Sequence, residues 1–232
     1  MKVRNAAVVV VGPLAFSLLA LGAPADAATP TPQALQPVKT LVDSRIDGRL
    51  HTLGGLKTAV DAASHLSAGH RSTLAALIAA DTAGLTALRA KVDAETTVQA
   101  VRTDERSMVD DYRIYLLVVP KVRFAIASDA ELADVQKLAD ARDKLAAAIA
   151  AAQAAGKDVS AEQAELADLT NQIGAPQSAL AGKVDALLAV APSPDAAAMT
   201  AAVAPVRNAV RTAREDLAKG LADAKRIRDQ LS

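Results

Sequence analysis

The stretch YRIYLLVVPKVRFAI, Tyr112–Ile126, decides how this chain folds. Nowhere else do aromatic, β-branched and basic residues crowd together, and Pro120 stands in their midst. Ile114–Val119 is apolar without a break, a run that suits either a buried strand or a helix covered on all sides. A strand must pair to satisfy its backbone N–H and C=O groups. No other segment offers a strand to pair with it, so the run reads as helix despite its β-branched content.

Working outward, the helical pattern extends both ways. Upstream, Thr97 suits a helix N-cap, and Val98, Val101, Glu105, Met108, Tyr112, Tyr115 and Val119 keep a seven-residue repeat. Downstream, Val135, Leu138, Leu145, Ile149 and Ala152 carry the stripe to Gly156, a C-terminal glycine. The spacing predicts one continuous helix of about 58 residues, roughly 87 Å long. Pro120 should kink it, since proline cannot bond to the carbonyl of Leu116.

Four further helices fit around it. Val42, Ile46, Leu50, Leu53, Leu56 and Val60 mark a first helix over about 38–66, weakened at Gly54-Gly55 by ~1 kcal/mol per glycine. A second, over about 72–94, turns Leu74, Ile78, Leu85, Leu88 and Val92 inward. Asp81 falls on that seam, so a partner is expected, an arginine from another helix. Ser160 and Gln163 read as a capping box for a fourth helix, disturbed at Gly174 and Pro176. Ser193, Pro194 and Asp195 read as cap, first turn and dipole partner of the last helix, whose heptad is the cleanest in the chain and which Pro205 should kink.

The predicted fold class is all-α: an elongated antiparallel helical bundle of two three-helix segments, spectrin-like in architecture, sharing the long central helix kinked near Pro120. The segments would divide at 38–119 and 120–232. Ahead of them, residues 1–27 read as an export signal. Lys2 and Arg4 precede the apolar run Ala6–Leu21, and Ala25-Asp26-Ala27 fits a cleavage site. The run is short for a membrane span, and an uncleaved anchor is the rival reading. Residues 28–37 read as an extended Pro/Thr-rich spacer. No second long apolar run is evident, so no membrane span is expected once the signal is removed.

Composition narrows the function. The chain has 232 residues, 51% hydrophobic and 2% aromatic, and about a quarter of it is alanine, a helix-favouring bias. Its 26 basic and 26 acidic residues are interspersed. Removing Lys2, Arg4 and Asp26 leaves 24 against 25, a net −1 with no nucleic-acid footprint. The chain contains no cysteine, which excludes disulfides, thiolate–metal sites and cysteine nucleophiles. His65 and His70 are five apart across a turn and do not share a helix face as metal ligands would; both read as surface residues. There is no nucleophile elbow, phosphate-binding loop or dinucleotide fingerprint. Neither catalytic residues, cofactor nor metal is expected.

One chemical feature remains, and it is the opening stretch itself. Tyr112, Tyr115 and Phe124, with Arg113, Lys121 and Arg123 among them, have the composition of an interaction hot spot. Core packing is the commoner meaning of such an aromatic stripe, and the join between the two segments would supply cover. The run Asp111–Lys121, DYRIYLLVVPK, resembles a segment of secreted, alanine-rich coiled-coil proteins of actinobacteria. That resemblance implies export and a helical fold, and implies no chemistry. The expectation is an exported, non-enzymatic protein acting through a protein partner or self-association at the cell envelope. The alternative is a carrier holding an apolar molecule between helices near Pro120.

Overall fold

A computed structural model describes residues 32–231. The expected signal, 1–27, and positions 28–31 of the expected spacer lie outside the described residues. Among the described residues the chain is all-helical, with no strand. It runs α1 (Pro32–Ala62), α2 (Ala68–Ala94), α3 (Val98–Asp110), a π-helical turn (Ile114–Val118), α4 (Val119–Ala154), α5 (Ser160–Leu180), α6 (Lys183–Leu188) and α7 (Ala196–Leu231).

Short-range signals account for most of these ends. Thr97 caps α3, its hydroxyl accepting from the amide of Ala100. Gly156, at φ 80°, closes α4: Lys157 N–H donates to Ala152 and Gly156 N–H to Gln153, the paired bonds of a Schellman end. Gly182, at φ 66°, ends the α5 run and starts α6. Elsewhere the caps are shifted. Asp195, not Ser193, caps α7 by accepting from Ala198 N–H at 2.9 Å. The expected Ser160–Gln163 box does not form; Asp158 takes the Ser160 amide at 3.1 Å. A free carboxylate in front of a helix start accepts more strongly than a serine within it. The spacer is also shorter than expected, because α1 already includes Pro37, with Leu35 and Val38 packed on the core.

The largest departure lies in the central helix. It is two helices, and the break falls at Asp111–Arg113, ahead of Pro120. Arg113 adopts the left-handed conformation (φ 46°, ψ 38°), rare for a residue with a Cβ. Tertiary bonds hold it there. Its buried guanidinium donates to the Ser193 carbonyl at 2.6 Å, to Asp110 at 2.8 Å and to the Pro194 carbonyl. Pro120 itself sits in the first turn of α4, where its missing N–H is least costly.

Two hydrophobic cores result. One gathers α1, α2, α3, the π turn, the start of α4, the last turn of α5, α6 and the first half of α7, around residues such as Ile46, Leu74, Met108 and Val203. The other joins the rest of α4, α5 and the second half of α7 around Val135, Leu169 and Ile227. Helices α1 and α2 run antiparallel: Lys39 Nζ donates to the Asp93 carbonyl, and Arg71 grips the carbonyls of Val60 and Ala63. Helices α4 and α7 run parallel, since Glu131 pairs with Arg214 beyond the level where Phe124 and Arg207 share a cavity. By length and composition, α2 is apolar enough to cross a membrane, which the sequence reading did not expect. Its apolarity is largely alanine, and its Leu74, Ile78, Leu85 and Val92 face is buried.

Candidate functional site

The opening stretch divides between inside and outside. In the π turn, five-residue bonds replace four-residue ones, as in Val118 N–H to Arg113. The wider turn directs Ile114, Leu117 and Val118 into the first core and leaves Tyr115 and Leu116 facing water. The stretch is therefore neither wholly core nor wholly surface, and the six residues singled out from sequence part company.

Three go inward. Tyr112 is half-buried, and its ring lies so close to Gly84 that a Cβ there would stand 2.5 Å from the phenol oxygen. Burial first, then the Asp111 and Asp81 charges, push the phenol above its ordinary pKa. Arg113 is the buried clamp of the helix break. Lys121 is buried and donates from Nζ to the carbonyls of Leu188 and Val190, at 2.9 and 2.6 Å. Burial depresses its pKa, against the pull of Asp81. Lys121, not an arginine, is thus the cation that faces Asp81. The two form no ion pair, and one Asp81 oxygen is buried without a partner. Burial pushes that carboxyl up to about 6, partly opposed by Lys121.

Three converge at the surface, Tyr115 and Arg123 exposed and Phe124 half-buried against the first core. Tyr115, Arg123 and Phe124, with Val119 and Pro120, line a cavity of about 410 Å³ between α4 and α7. Arg207 and Arg214 close its α7 side. Tyr115 is 53% exposed, with the Arg49 guanidinium 5.4 Å from its ring centroid. A second cavity of about 490 Å³ continues along the same two helices past Leu138 and Leu221, and Arg214 lines both. Ion pairs in this furrow are few: Arg214 with Glu131 at 2.5 Å and Lys137 with Asp134 at 2.8 Å.

A second polar cluster had no sequence signal. His70, in the first turn of α2, is clamped between two carboxylates: Nδ1 lies 2.9 Å from Asp129, and Nε2 lies 3.2 Å from Asp185. The buried Asp129 also accepts the Ser67 amide at 2.7 Å, so one side chain ties α4 to the start of α2. Burial lowers the His70 pKa, but the hydrogen bonds and charges of Asp129 and then Asp185 outweigh it, and the net shift is upward. The surface role expected for His70 is thereby corrected. Among the described residues no group of three His, Asp or Glu side chains is arranged to hold a metal ion. The chain matches no protein-family model, no curated protein and no solved structure.

Proposed function

We infer that this is an exported, non-enzymatic helical-bundle protein that acts through protein–protein contacts at or outside the cell envelope. The observation that carries the reading is the open α4–α7 furrow, where the exposed Tyr115 and Arg123 flank the half-buried Phe124. Exposed aromatic and arginine side chains around an apolar floor are what interfaces concentrate. Export rests on the basic and apolar residues of 1–27, and N-terminal sequencing of the exported protein should begin at Ala28. The two hydrophobic cores support a finer architecture, two helical segments stacked end to end through α4 and α7, with the chain bending at the Asp111–Arg113 break. The histidine clamp, the buried lysine and the ion pairs all have structural roles in this reading.

The test is affinity capture from envelope extracts with the wild-type protein and with Tyr115→Asp and Leu221→Asp as bait, identifying proteins and lipids alike. A protein retained by the wild type and lost from both variants is the expected result. If all three baits retain the same proteins, the furrow is not the contact surface. The carrier reading is favoured by the cavity beside Val119 and Pro120; lipid recovered in stoichiometric amount in place of protein would select it.

A further inference from the structure

We propose that the α4–α7 furrow docks one α-helix of a partner protein, a helix with an apolar stripe and with carboxylates clustered at one end. The proposal rests on the protein-contact reading above and deepens it by naming the partner's chemistry. Length is the first argument. From Val119 to Ala141 the furrow follows α4 for roughly 33 Å at 1.5 Å per residue, the span of about six helical turns. Both cavities lie along this line between the same two helices and meet at Arg214, which borders each.

Exposure is the second argument. Small ligands are held in concave sites that bury most of their surface. This track lies open: Tyr115 at one end is 53% exposed and Leu221 at the other 62%. An acyl chain lying in it would stay wet along one side, whereas an amphipathic helix keeps its polar face in water and buries only its stripe.

Charge is the third argument, and it sets the polarity of the partner. Midway along the track Arg214 is paired with Glu131, and beyond it Lys137 is paired with Asp134. At the near end, Arg123 on α4 and Arg207 on α7 flank Phe124, and among the described residues neither has an ion pair or a hydrogen bond. The uncompensated charge of the track is therefore positive and confined to one end. A partner helix whose carboxylates lie over Arg123 and Arg207, and whose apolar residues lie over Leu138 and Leu221, is complementary to both ends. Arginine forks suit carboxylates, which they can grip through two bonds at once.

The test measures binding of a labelled synthetic amphipathic helix with a leucine stripe and glutamates clustered at one end, beside a twin carrying lysines. The wild-type protein should bind the glutamate helix and discriminate against the lysine twin. The double variant Arg123→Glu/Arg207→Glu should weaken the glutamate helix by about tenfold or more and take up the lysine twin instead. Both replaced side chains are exposed, and circular dichroism confirms that the variant folds. Equal binding of the twins, or indifference to the double reversal, overturns the acidic partner while leaving a furrow that Leu221→Asp still disables in the capture assay. No binding of either twin, joined to capture that Leu221→Asp does not affect, overturns both readings. Dodecanoate that displaces the glutamate helix with the same arginine dependence shows an amphiphile as the occupant and overturns the helix.

Discussion

Asp81 and His70 show how single residues couple this fold to pH. Asp81 has a folded pKa of about 6, above its unfolded value of about 3.9. The stability tied to its protonated form is complete below the unfolded value and is lost as pH rises through about 6. Asp81→Asn should therefore stabilise the protein at pH 7.5 by about 1 kcal/mol, after discounting the shift for the exposure of the carboxyl, and should give no gain at pH 4. Urea titrations at the two pH values check this; equal effects at both would show that the charge is not the cause. His70 carries the same sign by another route. Its folded pKa is raised by two carboxylates, so its contribution is complete below about pH 6.5 and declines as pH rises through the folded value. Wild-type melting temperature is expected to fall across that window, and His70→Gln to flatten the fall. A proton NMR titration of the imidazole reads the shift directly, and a midpoint at or below the free-histidine value would contradict the Asp129–Asp185 clamp.

At the scale of the element, the decisive feature is the interruption between α3 and α4. Heptad spacing ran through Tyr112, Tyr115 and Val119 without a flaw, so nothing local announced a break. Arg113 imposes it, because burying a guanidinium requires acceptors and these are carbonyls 80 and 81 residues away in the turn before α7. Arg113→Ala leaves the left-handed backbone and those carbonyls uncompensated, and should destabilise by about 2–4 kcal/mol. Pro120→Ala, at a position in the first turn of α4, should cost less than about 0.5 kcal/mol. Chemical denaturation of the two variants side by side separates the two origins of the break. A large loss at Pro120 with none at Arg113 would return the break to the proline. Gly84 belongs to the same junction: Gly84→Ala would press a methyl group into the Tyr112 ring, at a cost of about 1–3 kcal/mol.

For the whole molecule, α4 and α7 are common to both hydrophobic cores. Loss of the first core exposes the start of α4 and the first half of α7, and loss of the second exposes the remainder of both, so unfolding is expected to be one cooperative event. Leu74→Ala in the first core and Leu169→Ala in the second should each lower the same transition, by about 2–5 kcal/mol for a fully buried leucine. Calorimetry checks this, and two resolved transitions, each sensitive to one variant, would show that the cores fold independently. The shared helices also explain why the furrow exists. Helix α5 covers one side of the α4–α7 pair and leaves the other to solvent, with Leu221 and Tyr115 marking its ends.

Much of this was legible in the residues alone: the helical class, the inward stripes of α1 and α2, the Thr97 cap and the Gly156 end; the heptad of α7 holds too, except at Leu221, which it turns inward and the structure leaves exposed. Each depends on groups within about one turn of one another, where periodicity, capping hydroxyls and glycine's freedom at positive φ act without reference to the rest of the chain. Tertiary structure alone decided the rest. The helix break at Arg113, the His70 clamp with partners 59 and 115 residues away, the inward turn of Lys121 and the outward turn of Tyr115 all depend on what packs alongside. A buried charge goes where distant carbonyls or carboxylates can receive it, and no local pattern records where those will be.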